Sequence, residues 1–284
     1  MAHRLGFLLV GLSALAWSTA GIFTKGIDVN VWIVLFWRGL FSAAFILLYI
    51  AWLKRGKWID EFALLGLPGW SAATVGSLAT VCYLSAFKFT SIANVVVIYA
   101  TTPFIAAGLA WLFTRERTDR MTLTASAAAL VGVLVMVGGS LGTPGLAGDM
   151  LAIAMAVLMS AMIVLIRRFP HAPMVAAMCV SSLQIAVAAT LVVDPFRASH
   201  DDVLWLVAFG FVQAVAVIML TEGACRIPAP QTALIGSLEI PLAPVWAWIV
   251  LSEIPPRATM VGGVIVLTAV SLFTHRSGHA RPGR

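Results

Sequence analysis

ACRIPAPQTALIGSLEIPLAPVWAWIVLSEIPPR, residues Ala224–Arg257, sets a glutamate, Glu239, inside an otherwise uncharged apolar run from Gln231 to Leu251 and follows it with Pro241 and Pro244. A water-facing helix has no use for that order. A hydrocarbon layer about 30 Å thick takes about 20 apolar residues per helical crossing, and Gln231–Leu251 is a run of that length. A related stretch lies upstream: AFKFTSIANVVVIYATTPFIAAGLAWLFTRERTDR, residues Ala86–Arg120. Ala86 meets Ala224, Lys88 meets Arg226 and Pro103 meets Pro241 at one offset. After a one-residue gap, Trp111 meets Trp248, Glu116 meets Glu253 and Arg120 meets Arg257. Gly6, Ser18 and Lys25 likewise meet Gly148, Ser160 and Arg167. The chain reads as one unit used twice.

Composition places both copies in a membrane. With 61% hydrophobic and 11% charged residues and a mean hydropathy of +1.00, the chain lies outside the range of soluble domains. Uncharged runs bounded by charges, Pro or Gly predict ten spans. The first half holds Leu5–Thr24, Asn30–Leu53, Phe62–Ala86, Ile92–Thr114 and Met121–Leu141. The second holds Leu146–Ile166, Pro173–Val193, Val203–Glu222, Gln231–Leu251 and Ala258–Thr274. The opening run continues past Trp17, too long for the apolar part of a signal peptide, and is read as a retained span. The expected fold is an all-α integral membrane protein, ten transmembrane helices in two five-helix repeats, residues 1–143 and 144–284. A five-span unit crosses an odd number of times, so the second copy enters upside down. Inverted repeats of this kind are the architecture of secondary transporters.

The basic residues give an orientation. Arg4, the Lys54–Lys57 and Arg115–Arg120 joins, Arg167, Arg168, Arg226 and the C-terminal arginines put thirteen Lys and Arg on one face, against Lys25, Lys88, Arg197 and Arg257 on the other. Excess positive charge stays in the cytoplasm, so both termini are expected inside. The net charge of +6 is then a membrane-face signal, met by anionic lipid headgroups, and requires no nucleic acid. Cys82, Cys179 and Cys225 sit in or beside separate spans, and His3, His171, His200, His275 and His279 sit in joins and tails. Neither a disulfide framework nor a metal site is indicated, and no cofactor is expected. With no Asp or His at depth the chain is not expected to be an enzyme, and without a phosphate-binding glycine loop it is not driven by ATP.

Two charges lie inside spans. Eight residues of rise put Glu239 roughly 12 Å from the cytoplasmic edge of its span and Arg38 roughly 12 Å from the outer edge of its own. The depths differ by about 6 Å, within reach of two long side chains. A lone charge there is disfavoured by about 2.5–3.5 kcal/mol. Three readings follow: an Arg38–Glu239 ion pair that holds the bundle, a cavity lining, or an interfacial position. Pro103 and Pro241, at matched places, are candidate hinges or packing residues. Trp32, Trp52, Trp58, Trp70, Trp111 and Trp205, near span ends, fit an interfacial belt. Glu116 with Arg120, Glu253 with Arg257 and Glu222 with Arg226 are spaced as local pairs. Gly132, Gly138, Gly139, Gly262 and Gly263 mark close helix approach, within one chain or across a weak homodimer.

The segments LSAFKFTSIANVVVIYATTPF, ALAWSTAGIFTKG, FWRGLFSAAFILL and EGACRIPAPQTALIGSLEIPLAPVWAWIVLSEIPP resemble the duplicated domain of the drug/metabolite transporter superfamily, in its ten-span EamA-type branch. The resemblance runs over nearly the whole chain. It implies a pseudosymmetric ten-helix bundle around a central cavity, moving small polar metabolites outward, as the aromatic amino-acid exporters of the group do. On helices which that resemblance puts around the cavity, Trp17 and Tyr99 lie near mid-membrane, roughly 18 Å from the cytoplasmic edge by helical rise. Ser18, Asn94 and Thr101 are candidate hydrogen-bonding partners for a solute's ammonium and carboxylate; Tyr83, Met159 and Trp246 complete the candidate binding set. The expected function is export of amino acids, large apolar or aromatic ones included, by alternating access. A broad exporter of lipophilic compounds and a channel-like facilitator are the alternatives.

Overall fold

Short polar side chains start the helices where the joins end. Asn30 accepts from the backbone N–H of Trp32 at 3.0 Å and Ser91 from that of Asn94 at 3.1 Å, each satisfying a donor that a helix N-terminus leaves open. These helices belong to a computed structural model that describes residues 2–26, 30–137, 145–195 and 200–279. Gly138, Gly139, Arg197, Arg281, Arg284 and the 143/144 junction lie outside the described residues.

The first half comprises α1 (Ala2–Ser18), α2 (Ala20–Gly26), α3 (Val31–Lys54), α4 (Trp58–Ala63), α5 (Gly66–Phe89), α6 (Ile92–Tyr99), α7 (Thr102–Thr114) and α8 (Arg120–Val137). The second comprises α9 (Leu146–Arg168), α10 (Met174–Thr190), α11 (His200–Ala224), α12 (Ala229–Gly236), α13 (Glu239–Leu251) and α14 (Arg257–His279). There is no strand among the described residues. Nine segments among them are long and apolar enough to cross a membrane. The seventh expected span, Pro173–Val193, is shorter than its apolar run: the helix is Met174–Thr190, 17 residues. Pro173 stands ahead of it and a turn from Leu191 ends it, so it rises only about 25 Å.

Three membrane-length segments, Ala2–Phe23, Ile92–Thr114 and Ala229–Val250, are each two helices end to end. At each break a hydroxyl turns back onto its own chain. Thr19 donates to the Ala16 carbonyl at 2.7 Å, Thr101 to Ile98 at 2.6 Å and Ser237 to Leu234 at 2.7 Å. Such back-bonding competes with the regular ladder and bends helices. Pro103 and Pro241, the candidate hinges, sit in the first turns of α7 and α13, just past these breaks, where a missing N–H costs little. Pro244 is the proline inside α13, and it deprives the Ile240 carbonyl of its helical donor.

The packing repeats with the sequence. α1 packs on α11 and α9 on α5, while α3 packs on α10, α7 on α12 and α8 on α14. Small residues allow the closest approaches. A Cβ on Gly6 would stand 2.6 Å from the Ile227 side chain, and one on the repeat-matched Gly148 would stand 2.6 Å from the Phe89 carbonyl carbon. Phe89 and Ile227 are themselves at the repeat offset. A Cβ on Gly132 would fall 2.8 Å from the Gly262 carbonyl oxygen, so these two glycines join α8 to α14 within the chain. The fold is thus all-α, two repeated halves interleaved about a pseudo-two-fold, with an odd number of apolar segments in each.

The two ends of the bundle differ. At the basic end Arg167 donates to the Cys225 carbonyl at 2.9 Å and stands 3.6 Å from Glu116, while Arg168 donates to the Phe113 carbonyl. These contacts tie the ends of α7, α9 and α11 together over a packed interior of Val10, Ile166, Ile227, Leu234, Ile235 and Phe273, none more than 1% exposed. Glu116 therefore pairs with Arg167, not with Arg120 as its spacing suggested; Glu222 and Arg226 form the expected local pair at 2.7 Å. Of the belt tryptophans, Trp52, Trp70, Trp111 and Trp205 are exposed, but Trp32 is buried, with the Lys88 ammonium 5.2 Å above its ring.

Candidate functional site

Beyond that packed interior, away from the basic end, the bundle encloses a central cavity. This cavity, of about 340 Å³, opens among α1, α2, α3, α5, α6, α9, α11 and α13, lined on the helices just past their midpoints. Breaks in the first, fourth and ninth segments place its walls. α6 ends on Tyr99, α13 begins on Glu239 and α1 ends on Ser18, so each break delivers a functional side chain to the cavity.

Of the residues expected from sequence, Trp17, Ser18, Tyr83, Tyr99, Met159 and Glu239 line this cavity. Trp17 is fixed by its indole N–H, which donates to the Gln213 side chain at 3.0 Å. Ser18 donates to the Leu15 carbonyl at 2.6 Å and accepts from the Trp246 indole at 2.9 Å. Trp246 thus braces the lining from behind and is not itself part of it. Tyr83 keeps 36% of its surface exposed although it lines a bundle interior, as a side chain does at a cavity that opens outward.

Asn94 and Thr101 are not in the lining. The Asn94 amide donates to Thr90 at 3.0 Å and reaches Asp149 at 3.4 Å, holding the start of α6 to α9. Thr101 spends its hydroxyl on its own helix break. Their residue types suited a polar solute; their hydrogen bonds were already committed to the backbone and to a neighbouring helix, which spacing alone does not reveal.

The Arg38–Glu239 ion pair does not form. The ion pairs among the described residues are Lys54–Glu61, Arg167–Glu116 and Arg226–Glu222, and both buried charges line the cavity instead. Arg38 lies 5.3 Å from the centroid of the Phe209 ring, which itself stacks on Phe23 at 4.9 Å. Glu239 faces the Tyr99 hydroxyl. Tyr83 lies within electrostatic reach of both Arg38 and Glu239. The cavity therefore carries an acid on α13 and a base on α3, two phenols near them, and a wall of Trp17, Met155 and Met159. Chemically it can hold a small solute with separated opposite charges and an apolar part.

Sequence reasoning missed Gln213, Thr80 and Met155 in the lining. Gln213 alone carried a signal: an amide in the middle of an apolar span needs a partner. Ile240 also lines the cavity. Among the described residues no group of His, Cys, Asp and Glu is placed to hold a metal ion.

Residues 4–138 and 146–274 each match the model of the EamA-like transporter family. A solved crystal structure aligns with 98% of this chain and 99% of its own, at a TM-score of 0.80 and 18% sequence identity; at that identity the likeness establishes the fold alone. No curated protein matches the chain.

Proposed function

The chain belongs to the EamA-like transporter family, and from that premise we propose that it is a secondary transporter that exports zwitterionic amino acids, large apolar and aromatic ones included. The single observation that carries this reading is that Arg38 and Glu239 line one cavity and form no ion pair with each other. Each is a charge in a low-dielectric interior, disfavoured by about 2.5–3.5 kcal/mol when alone. A zwitterion answers both: its ammonium meets Glu239, its carboxylate meets Arg38, and its side chain lies against Trp17, Tyr99 and the two methionines. This assignment takes over the polar role first given to Asn94 and Thr101. Phosphorylated solutes and polyvalent cations fit poorly, because one acid and one base leave no net charge to oppose theirs.

Alternating access fits the same architecture. In this reading the membrane is a bacterial cytoplasmic one, the basic end with its packed interior lies toward the cytoplasm, and both termini are inside. The cavity then faces outward, and exchanging the roles of the two repeats opens it inward. The protein works as a monomer in this reading, because the Gly132–Gly262 contact is satisfied internally. Counterflow in proteoliposomes against amino acids, nucleosides, sugars and cationic dyes tests the cargo. Exchange of leucine, phenylalanine or tryptophan, with saturation, is the expected result; exchange of dyes alone favours the lipophilic-compound exporter, and unsaturable flux favours a channel.

A further inference from the structure

Apart from the central cavity, the basic end carries two others: one of about 600 Å³ bordered by Tyr49, Lys54, Glu61, His171, Glu222 and Arg226, and one of about 280 Å³. Around the smaller one, the loop after α7 supplies Glu116, Arg117, Thr118 and Asp119, α8 supplies Thr122, and the N-cap and first turn of α12 supply Pro228, Pro230 and Gln231. Pro228 at the N-cap of α12 and Pro230 in its first turn set that helix start against the α7–α8 loop. Its polar groups are unevenly satisfied. Thr122 donates to the Asp119 carboxylate, and one Glu116 oxygen stands 3.6 Å from Arg167. The other Glu116 oxygen, Oε2, and Gln231 Oε1 are buried without any hydrogen-bond partner, two of only three such side-chain atoms among the described residues. Gln231 as a whole is 9% exposed.

Buried acceptors in folded proteins are nearly always paired, so two orphans on one cavity mark the place of a donor that the chain does not itself provide. The missing partner has donors to give and is small. A primary ammonium brings three. Arg117, exposed on the same wall and in no ion pair among the described residues, supplies the complementary cation for a carboxylate. An arginine on the wall argues against a bare metal ion.

We propose that this cavity is a second binding site for a primary ammonium group, between Glu116 Oε2 and Gln231 Oε1, that receives the cargo amino acid at the basic face before transport. The identity of the cargo rests on the reading in the preceding section; the ammonium site does not. The repeat supports a one-sided role. Glu116 has a counterpart in Glu253, but the residue at the repeat position of Gln231 is Ala93, so the opposite face lacks the amide. An exporter collects cargo on one face only, and the amide is present on the face assigned to the cytoplasm.

The test is calorimetric titration of the full chain in nanodiscs with leucine and, separately, with methylammonium. The proposal expects two leucine sites in the wild type, one after Glu239→Gln, one after Gln231→Leu, and none when both are changed. Glu116→Gln should reproduce the Gln231→Leu loss; since Glu116 also meets Arg167, the Gln231→Leu variant, which disturbs no ion pair, keeps the test independent of folding. Methylammonium binding lost in Gln231→Leu identifies the ammonium as sufficient, and leucine binding without methylammonium binding assigns the site to the zwitterion; both uphold it. Unchanged leucine stoichiometry in Gln231→Leu and Glu116→Gln overturns the proposal, and leaves water as the occupant. If instead one wild-type site is found and only Gln231→Leu removes it, this site stands and the central-cavity reading fails.

Discussion

Glu239 and Arg38 illustrate what a residue's depth does and does not fix. Counting rise along two apolar runs puts both inside the membrane, and the sequence allows them to pair. The structure turns them to one cavity, against Tyr99 and Phe209 respectively, because the break before α13 aims Glu239 at the end of α6. Since neither holds the other, neutralising Glu239 removes no ion pair. Glu239→Gln is expected to leave the thermal midpoint in detergent within the range of a harmless substitution and to weaken leucine exchange about 10- to 100-fold, the loss of one charge-assisted hydrogen bond of about 1.5–3 kcal/mol. A folded, active Glu239→Gln protein, or a variant that fails by unfolding, contradicts this. Asn94 gives the converse. Its amide ties α6 to Thr90 and Asp149, so Asn94→Ala should lower stability by about 1 kcal/mol in a thermal melt and leave the apparent affinity for leucine unchanged.

At the scale of elements, the ten apolar runs, their inverted duplication and the matched prolines were legible because composition and a repeated order of Trp, Pro, Glu and Arg survive in both halves. The breaks were less so. Hydrophobicity does not distinguish a continuous helix from two half-helices, and the agents of the breaks, Thr19, Thr101 and Ser237, are ordinary residues whose hydroxyls happen to bond backward. We infer that these joints, with Pro103 and Pro241 starting the next helix, are where the segments flex during transport. Pro103→Ala and Pro241→Ala permit a continuous ladder across the joint, and each is expected to slow flux several-fold with binding retained; wild-type flux in both disproves the hinge. The glycine contact between α8 and α14 makes a sharper packing prediction. Gly132→Val inserts a side chain against the Gly262 carbonyl and the Val266 side chain and should destabilise by about 1–3 kcal/mol or more, whereas Gly11→Val meets nothing within 4 Å and should not. Equal thermal midpoints for the two variants would refute the internal α8–α14 seam.

Over the whole molecule, Arg167 and Arg168 tie helix ends over a packed apolar interior toward the basic end, and the central cavity lies on the far side of that interior. The positive-charge asymmetry was readable from the sequence, but the side on which the central cavity lies was not, since it depends on how far the half-helices diverge beyond their breaks. In a variant with Cys82, Cys179 and Cys225 replaced by serine, Tyr83→Cys should react with an impermeant thiol reagent added outside intact cells and be protected by leucine, while Leu234→Cys, in the packed interior, should not react. Reaction of Leu234→Cys alone would reverse the assignment. The most direct test of a zwitterion held between Arg38 and Glu239 is counterflow of leucine, its N-acetyl derivative and its amide through wild type, Arg38→Gln and Glu239→Gln. Wild type is predicted to exchange free leucine and discriminate against both derivatives, Glu239→Gln to lose discrimination against the N-acetyl compound, and Arg38→Gln to lose it against the amide. Equal exchange of all three compounds by the wild type, or the same selectivity in all three proteins, would contradict it.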